Sequence, residues 1–282
     1  MKFAMIAPGL LLISQLASAY ILPTRAILQK TVEHSGSGIY AIEQEVQFSN
    51  GDDNLLLKET WLINGDKMRL TVTGGKDLQD SFRIQFVYSG GQRHSLVNNQ
   101  KKTERVSEDF IEKFLNFRSP DALANSLVHL KILPSIALIK KAPGKTAAEF
   151  KYEPESWVRL SRTGGVVNYA FGVPTPVDQE LNYPGLWIEQ DEFVLRKIRF
   201  PNQVEMSAQN YSQFARGLQY PRQRTIRWGN NSVNIRLMSA SARPATSANL
   251  LTPASIDTNT VVDGIQSVPA RNTVMEFYSR FR

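Results

Sequence analysis

Apolar and polar residues alternate along three segments in the first third of the chain, at residues 40–48, 67–72 and 82–88. Alternation of this kind places the apolar side chains on one face of a β-strand and the polar side chains on the other. Tight-turn pairs separate such segments, among them Asn64-Gly65 and Gly90-Gly91. Because these pairs readily adopt the positive φ of two-residue hairpin turns, the pattern predicts an antiparallel meander with one apolar face.

The same kind of pattern resumes in the second half of the chain, between Trp157 and Leu237. Together the two runs imply about eleven or twelve strands, which is more than an open twisted sheet usually holds without curling. The predicted fold class is therefore mainly β with helices (α+β). We find no repeat of 20 to 50 residues and no boundary of a second domain.

Between the two runs of strands the apolar period becomes that of a helix. Ser107 is a candidate cap, and the residues after it form an apolar stripe at Phe110, Ile111, Phe114 and Leu115. An apolar side of this size must be covered in the folded protein. Two further helical stretches are predicted to begin at Ser119-Pro120, with Leu123, Leu127 and Leu130 on one side, and at Pro134, with Ile136, Leu138 and Ile139.

The first residues have the features of an export leader. Lys2 supplies a positive charge, residues 3–16 form an apolar run, and Ala17-Ser18-Ala19 is a small-residue cleavage site. We predict a signal peptide over residues 1–19, the alternative being an uncleaved N-terminal anchor. The chain has no cysteine, which excludes a lipid-anchored cysteine, a disulfide framework and a thiolate metal site. The predicted location is the periplasm, as an exported soluble protein.

Helices are also predicted near the two ends of the mature chain. Thr24 is the candidate cap of a short helix over residues 25–34. After Ser241 the composition shifts to Ser, Thr, Ala, Pro and Asn, which predicts a flexible tail over residues 242–282. The tail is expected to end in a short amphipathic helix, which packs on the sheet or touches a membrane or partner, because apolar residues recur at helical spacing at Val274, Phe277, Tyr278 and Phe281.

Charge is concentrated in the last third of the chain. From Arg196 onwards there are 12 Lys and Arg residues against 4 Asp and Glu residues. Such a surface attracts anionic lipid headgroups or an acidic partner, and the alternative is a set of solvated strand faces. Nucleic acid is not expected as a partner of an exported protein without a nucleic-acid-binding motif. The residues assigned to this basic surface are Arg222, Arg224, Arg227 and Arg236.

The sequence lacks a recognisable catalytic constellation. His34, His94 and His129 stand in unrelated contexts, without a second histidine or a carboxylate at the spacing of a metal site. No nucleophile elbow and no phosphate-binding glycine loop is present. We therefore predict that the protein is not an enzyme, with no catalytic residue, no metal and no cofactor. A hydrolase with an unrecognised site is the weakest of the alternatives.

Seven segments of the chain together form a recognisable pattern: residues 44–48 (QEVQF), 59–70 (ETWLINGDKMRL), 87–92 (VYSGGQ), 187–191 (WIEQD), 193–197 (FVLRK), 200–202 (FPN) and the final strands 211–239. In this order they resemble the LolA-like superfamily of periplasmic outer-membrane lipoprotein carrier and sorting proteins. The resemblance covers most of residues 26–241 and implies an incomplete antiparallel β-barrel of about eleven strands, covered by helices, over residues 20–241.

The resemblance also implies an apolar cavity for acyl chains beneath a helical lid. The inward side chains would be Trp61, Met68, Leu70, Phe82, Ile84, Phe86, Tyr169, Phe171 and Trp187. The lid residues would be Phe110, Phe114, Leu123, Leu127 and Ile136. In the family an arginine near the hairpin between the second and third strands holds the lid shut, but the turn here is Asn64-Gly65-Asp66-Lys67 and Arg69 is already on the strand. The family's latch arginine therefore has no clear counterpart at this turn.

The function implied is that of a periplasmic carrier, or chaperone, in outer-membrane lipoprotein sorting. It would be monomeric, bind acyl chains of a lipoprotein or lipid, and deliver them toward the outer membrane through docking partners at the inner or outer membrane. The alternative is a periplasmic sensor of lipids or lipoproteins that acts on a protein partner in envelope signalling.

Overall fold

The computed structural model describes residues 21–50, 53–75, 78, 81–138, 155–172 and 183–282. The predicted signal peptide and the part of the third helical stretch from Ile139 onwards lie outside these residues. The helices are α1 (Thr24–Glu33), α2 (Pro120–His129) and α3 (Val268–Arg280), and 3-10 helices cover Glu112–Leu115, Ser135–Leu138, Ala215–Gly217, Ala245–Leu251 and Pro253–Ser255.

The strands form one antiparallel sheet, which confirms the prediction of an incomplete β-barrel covered by helices. The described part of the chain contains 14 strands, more than the eleven or twelve predicted. They are β1 (Ile39–Asn50), β2 (Asp53–Asn64), β3 (Lys67–Gly74), β4 (Phe82–Ser89), β5 (Gln92–Val97), β6 (Gln100–Arg105), β7 (Val158–Thr163), β8 (Val166–Gly172), β9 (Gly185–Glu189), β10 (Leu195–Arg199), β11 (Glu205–Gln213), β12 (Gln219–Trp228), β13 (Asn231–Arg243) and β14 (Val261–Val262).

Two meanders, β1–β6 and β7–β13, meet in the middle of the sheet. The order is β6-β5-β4-β3-β2-β1-β13-β12-β11-β10-β9-β8-β7, so β6 and β7 are its edges. β1 pairs with β13 from Tyr40 with Ala242 to Phe48 with Val233, with a register shift after Glu43. The open side of the half-barrel therefore lies between β6 and β7.

The sheet has a concave apolar face on which the core is built. On β3, for example, Met68, Leu70 and Val72 are buried in the main apolar cluster, and the residues between them lie on the other face. Burying one such side chain contributes roughly 1.5–3 kcal/mol, so the alternation fixes which face is inside. α2 begins where its sequence predicts, because the Ser119 Oγ accepts a hydrogen bond from the Ala122 backbone N at 3.3 Å. The predicted cap of α1 is wrong, because α1 begins at Thr24 and the cap position is Pro23.

The chain after Ser241 is not a flexible tail, which corrects the prediction made from composition. Residues 244–258 cross the convex face of β1–β4, where the Arg69 Nη1 donates to the Ser255 carbonyl at 3.3 Å and the Gln85 Nε2 to the Asp257 Oδ1 at 3.2 Å. We call residues 244–262 the strap. Two of its few large apolar residues, Leu251 and Ile256, are buried.

The strap ends by passing from the convex to the concave face. β5 pairs with β4 only as far as the Val87 and His94 pair, which leaves the start of β4 without a β5 neighbour. β14 pairs there with Phe82 and Arg83, while the Thr260 backbone N donates to the Leu96 carbonyl of β5 at 2.9 Å. The chain then continues into α3, which lies on the concave face.

Candidate functional site

The residues predicted to line an acyl cavity are buried, and eight of the nine belong to the main apolar cluster on the concave face. Trp187 is the exception and corrects the prediction. Its neighbours on β9, Leu186 and Ile188, face the cluster, so Trp187 faces the other way. There the Lys197 Nζ lies 5.0 Å from its ring centre and the Arg199 Cζ 5.5 Å, which is cation–π distance.

Aromatic side chains from the lid and from α3 occupy the space over the concave face. We define the lid as residues 106–138. The Phe110 ring of the lid stacks on Tyr88 at 4.7 Å between centres. From α3, the Phe277 ring lies 5.2 Å from Phe48, and the Tyr278 ring lies 6.3 Å from Phe82. Packing on the sheet was one of the alternatives predicted for the C-terminal helix, and α3 packs there, although the predicted cavity residues include none from this helix.

The lid buries four of its five predicted residues, namely Phe110, Phe114, Leu123 and Leu127. Ile136 is wrong as a covering residue, because 58% of it is exposed. It belongs to the 3-10 helix Ser135–Leu138, which follows the positive-φ residue Lys131. In the described residues, the stretch predicted from Pro134 is this short 3-10 helix, none of whose residues is buried.

A cluster of charged side chains lies under the lid, and it includes a residue that the sequence assigned to the surface. Arg224 is only 3% exposed, and its Nη1 donates to the Glu112 Oε2 of the lid at 2.8 Å. The placement of Arg224 on a basic surface is therefore wrong. The inward set of β12 continues through Ile226 and Trp228, and Arg224 belongs to it. Arg222 has the same parity but is exposed, and its Nε donates to the Ser212 Oγ of β11 at 2.5 Å.

Arg282 completes this buried charge cluster, which we define as Glu59, Glu112, Arg224 and Arg282. The Arg282 Nε donates to the Glu59 Oε1 at 3.1 Å, and its Nη1 lies 3.5 Å from the Glu112 Oε2. All four side chains are 1% exposed or less, and their formal charges cancel. Neutral groups add further hydrogen bonds: Tyr220 donates to Glu112, Trp61 donates to Glu59, and Gln44 contacts both Glu59 and Arg224.

The charges in this cluster are mutually stabilised. Burial by itself raises the pKa of Glu112, but the guanidinium groups of Arg224 and Arg282 and the hydrogen bonds outweigh it, so its pKa lies below the ordinary value. Burial lowers the pKa of Arg224 and Glu112 raises it, with a net increase. Both groups are therefore charged at neutral pH. The stability that Glu112 contributes is present above its unfolded pKa of about 4.3 and is lost as the pH falls through its lower folded value.

A second arginine ties the lid to the rim of the sheet. The Arg118 Nη1 donates to the Asn64 Oδ1 at 2.8 Å in the turn between β2 and β3, and its Nη2 donates to the Gly38 carbonyl at 2.6 Å. The family resemblance implies an arginine on this hairpin, whereas here the arginine is on the lid and the hairpin supplies the acceptor. Arg118 was not among the predicted residues, because the resemblance implies that the arginine lies on the hairpin.

An apolar groove opens beside the end of the lid. Its volume is about 440 Å³, and it lies between the lid and the first residues of the β7–β8 hairpin. Trp157 is held there by its Nε1, which donates to the Thr24 Oγ1 of α1 at 2.9 Å. Sequence reasoning identified Pro134 and Trp157 only as the starts of elements and had no signal that they meet. The lining residues are Val128, Lys131, Ile132, Leu133, Pro134, Ser135, Ser156, Trp157 and Gly172.

A larger cleft of about 560 Å³, between the end of α1 and the turns after β9 and β11, is different in character. It contains Lys30, Glu33, Asp191 and Glu192, so it is polar and suits an acyl chain less well than the groove does. Among the described residues, no group of three or more His, Cys, Asp or Glu side chains could hold a metal ion. The same residues include no helix long and apolar enough to cross a membrane.

Comparison with known proteins gives the fold. No protein-family model matches the chain, and no curated protein matches it in sequence. A solved structure of a LolA superfamily protein from Nitrosomonas europaea superposes with a TM-score of 0.52 at 11% identity, covering 84% of this chain and 100% of that one. A putative outer membrane lipoprotein-sorting protein domain from Vibrio parahaemolyticus has a TM-score of 0.48 at 11% identity, covering 82% and 97%. The first likeness shows a LolA-like fold and confirms the resemblance at that level.

Proposed function

We propose that the protein is a periplasmic carrier that binds acyl chains of a lipoprotein or lipid in the groove and beneath the lid, and delivers them toward the outer membrane without catalysing a reaction. The observation that carries the proposal is the apolar groove, because two of its lining residues, Ile132 and Leu133, also belong to the main apolar cluster. A volume of about 440 Å³ lies within the range of pockets that bind small molecules, roughly 300–1,000 Å³.

The binding mechanism is reversible burial of methylene groups. Each methylene removed from water contributes roughly 0.8 kcal/mol, so a chain of ordinary length is held without any directional bond. The lid covers the concave face with short helical elements, and Arg118 and the buried charge cluster hold it closed. Transfer then requires an acceptor that buries more of the chain than this protein does. The likeness to the Nitrosomonas europaea protein supports the proposal only in so far as the two proteins share a fold.

Binding of a fluorescent fatty-acid analogue tests the proposal. Val128 is half-buried at the groove, and we expect Val128→Asp to raise the dissociation constant about tenfold or more, because a carboxylate beside a bound acyl chain is costly to desolvate. The matched control is Val268→Asp, since Val268 is a 61% exposed valine that does not line the groove. Its affinity should stay within twofold of the unmodified protein. Equal affinities for both variants would place the chain elsewhere, and no binding at all would refute the carrier.

The basic surface, now Arg222, Arg227 and Arg236, gives a second prediction. All three are exposed, and we expect their combined change to serine to weaken association with anionic vesicles about 100-fold, since each basic residue near such a surface contributes roughly 1 kcal/mol. Binding of the fluorescent acyl probe should be unchanged, because surface charge acts on encounter. Sedimentation with vesicles at low and high salt measures the effect.

The control for this experiment removes the same charge elsewhere. Lys67, Lys101 and Arg105 are exposed on β3 and β6, and their combined change to serine alters the net charge equally. If this control weakens vesicle association as much as the first triple variant, net charge and not the basic surface is responsible. Insensitivity to both variants and to salt would mean that the arginines are only solvated.

A further inference from the structure

α3 covers the concave face with one side only. Val274, Phe277, Tyr278 and Phe281 are buried in the main apolar cluster, whereas Met275 on the opposite side is 38% exposed. One side of α3 therefore packs on the sheet through a stripe of apolar side chains, and its other side faces solvent. In the proposed carrier, an acyl chain that reaches the concave face meets the surface that this stripe already occupies.

Side-chain contacts, and not strand pairing, hold the helix in place. The Arg93 Nη1 donates to the carbonyls of Tyr278, Ser279 and Arg282 at 2.8–3.0 Å. Between the lid and the end of α3, the described residues make a long backbone hydrogen bond, from the Ile111 N to the Phe281 carbonyl at 3.4 Å. The helix can therefore leave the concave face without breaking any strand pair of the half-barrel.

The polar end of this contact is not fully satisfied. Arg282 follows α3 into the buried charge cluster, yet its Nη2 has no hydrogen-bond partner among the described residues, and neither has the Tyr88 hydroxyl. Buried polar groups are nearly always paired, and a buried group without a partner weakens the association that buries it. The polar end of α3 therefore carries a cost that the aromatic stripe does not.

Withdrawal of α3 changes the charge balance of the cluster. Arg282 leaves with the helix, Glu112 keeps Arg224, and Glu59 keeps only the neutral donors Gln44 and Trp61. The vacated surface is then an apolar stripe that ends at a buried carboxylate without a cation. A ligand restores the balance if it carries both an apolar chain, in place of the α3 side chains, and a cation, in place of Arg282.

We propose that α3 is a displaceable occupant of the ligand space, and that the ligand that replaces it is a lipid with a cationic amine, whose chain takes the place of the aromatic stripe and whose amine pairs with Glu59. This inference rests on the proposed function, since it names the class of lipid and the segment that the lipid displaces.

Thiol labelling of the full chain tests the displacement. The chain has no cysteine, so Val274→Cys creates a single thiol at a fully buried position of α3, and Met275→Cys creates one at the exposed position beside it. Dodecylamine, dodecanol and dodecanoate are titrated below their aggregation concentrations. We expect dodecylamine to accelerate labelling of Val274→Cys at least tenfold, at a concentration at least tenfold lower than dodecanoate requires. Labelling of Met275→Cys should be fast throughout.

Two further variants assign the preference to the carboxylate. Adding Glu59→Gln should reduce the difference between dodecylamine and dodecanoate to within twofold. Arg282→Gln removes the cation that pairs with Glu59 and leaves Glu59 itself unchanged. It should raise the labelling rate of Val274→Cys without any lipid. This variant keeps the test decisive if Glu59→Gln does not fold.

The outcomes separate the inference from the carrier function. If the fluorescent acyl probe binds but no amphiphile accelerates labelling of Val274→Cys, the carrier stands and α3 is a fixed part of the core. If all three amphiphiles open α3 equally, the cationic ligand is wrong. Failure of the probe to bind removes the carrier itself.

Discussion

Replacing Arg224 with methionine is expected to lower the free energy of unfolding by about 3–5 kcal/mol, the usual cost of leaving a buried charge without its partner. Glu112 has no access to solvent, and its one remaining cation within the cluster would be Arg282, at 3.5 Å, which already pairs with Glu59. The cluster would then carry a net negative charge beneath the lid. Urea unfolding followed by tryptophan fluorescence measures the change.

The control is Arg227→Met, three residues further along the same strand and exposed to solvent. Its effect should stay within about 0.5 kcal/mol, as for surface substitutions in general. Changing both partners, Arg224→Met with Glu112→Leu, should be less harmful than Arg224→Met alone, because no lone charge remains. Equal effects of Arg224→Met and Arg227→Met would show that the cluster contributes nothing to stability.

Phe277→Ala is expected to lower the free energy of opening α3 by about 3 kcal/mol, at the lower end of the range for removing a buried aromatic ring. The Phe277 ring contacts Phe48 at 5.2 Å and Trp228 at 5.9 Å between centres, so its loss removes the middle of the aromatic stripe. Amide hydrogens of α3 should exchange roughly 100-fold faster, since each 1.4 kcal/mol is a factor of about ten.

Met275→Ala is the matched control on the same helix, since that side chain faces solvent. Exchange in α3 should change by less than about threefold, because surface substitutions shift stability by only a few tenths of a kcal/mol. A flexible tail would exchange without protection in the unmodified protein and in both variants. That result would contradict the docking of α3 on the concave face.

The sequence predicts the strands and the helix that begins at Ser119 because these features are local. Alternation along β3 and the hydroxyl of Ser119 act on residues a few positions away. At Trp187 the local pattern does not predict the orientation of the side chain. All five residues of β9 are buried, so its apolar run carries no alternation and the inward face cannot be read from it.

Arg224 was misplaced because its partner is distant in the chain. An arginine on an alternating strand normally faces solvent, and only Glu112, brought over β12 by the lid, makes an inward position acceptable. The strap was misread for a related reason. Composition is an average over many residues, whereas the strap is anchored by two individual buried side chains, Leu251 and Ile256.

The pairing of β1 with β13 also governs the order in which the protein folds. Tyr40 and Ala242 are about 200 residues apart along the chain, and contacts between such distant residues slow folding because a long loop must close first. The two meanders have only local pairings until that loop closes, and α3 cannot dock before the sheet beneath it exists. The centre of the sheet therefore forms late, and the half-barrel is completed only after each of its two meanders has formed by itself.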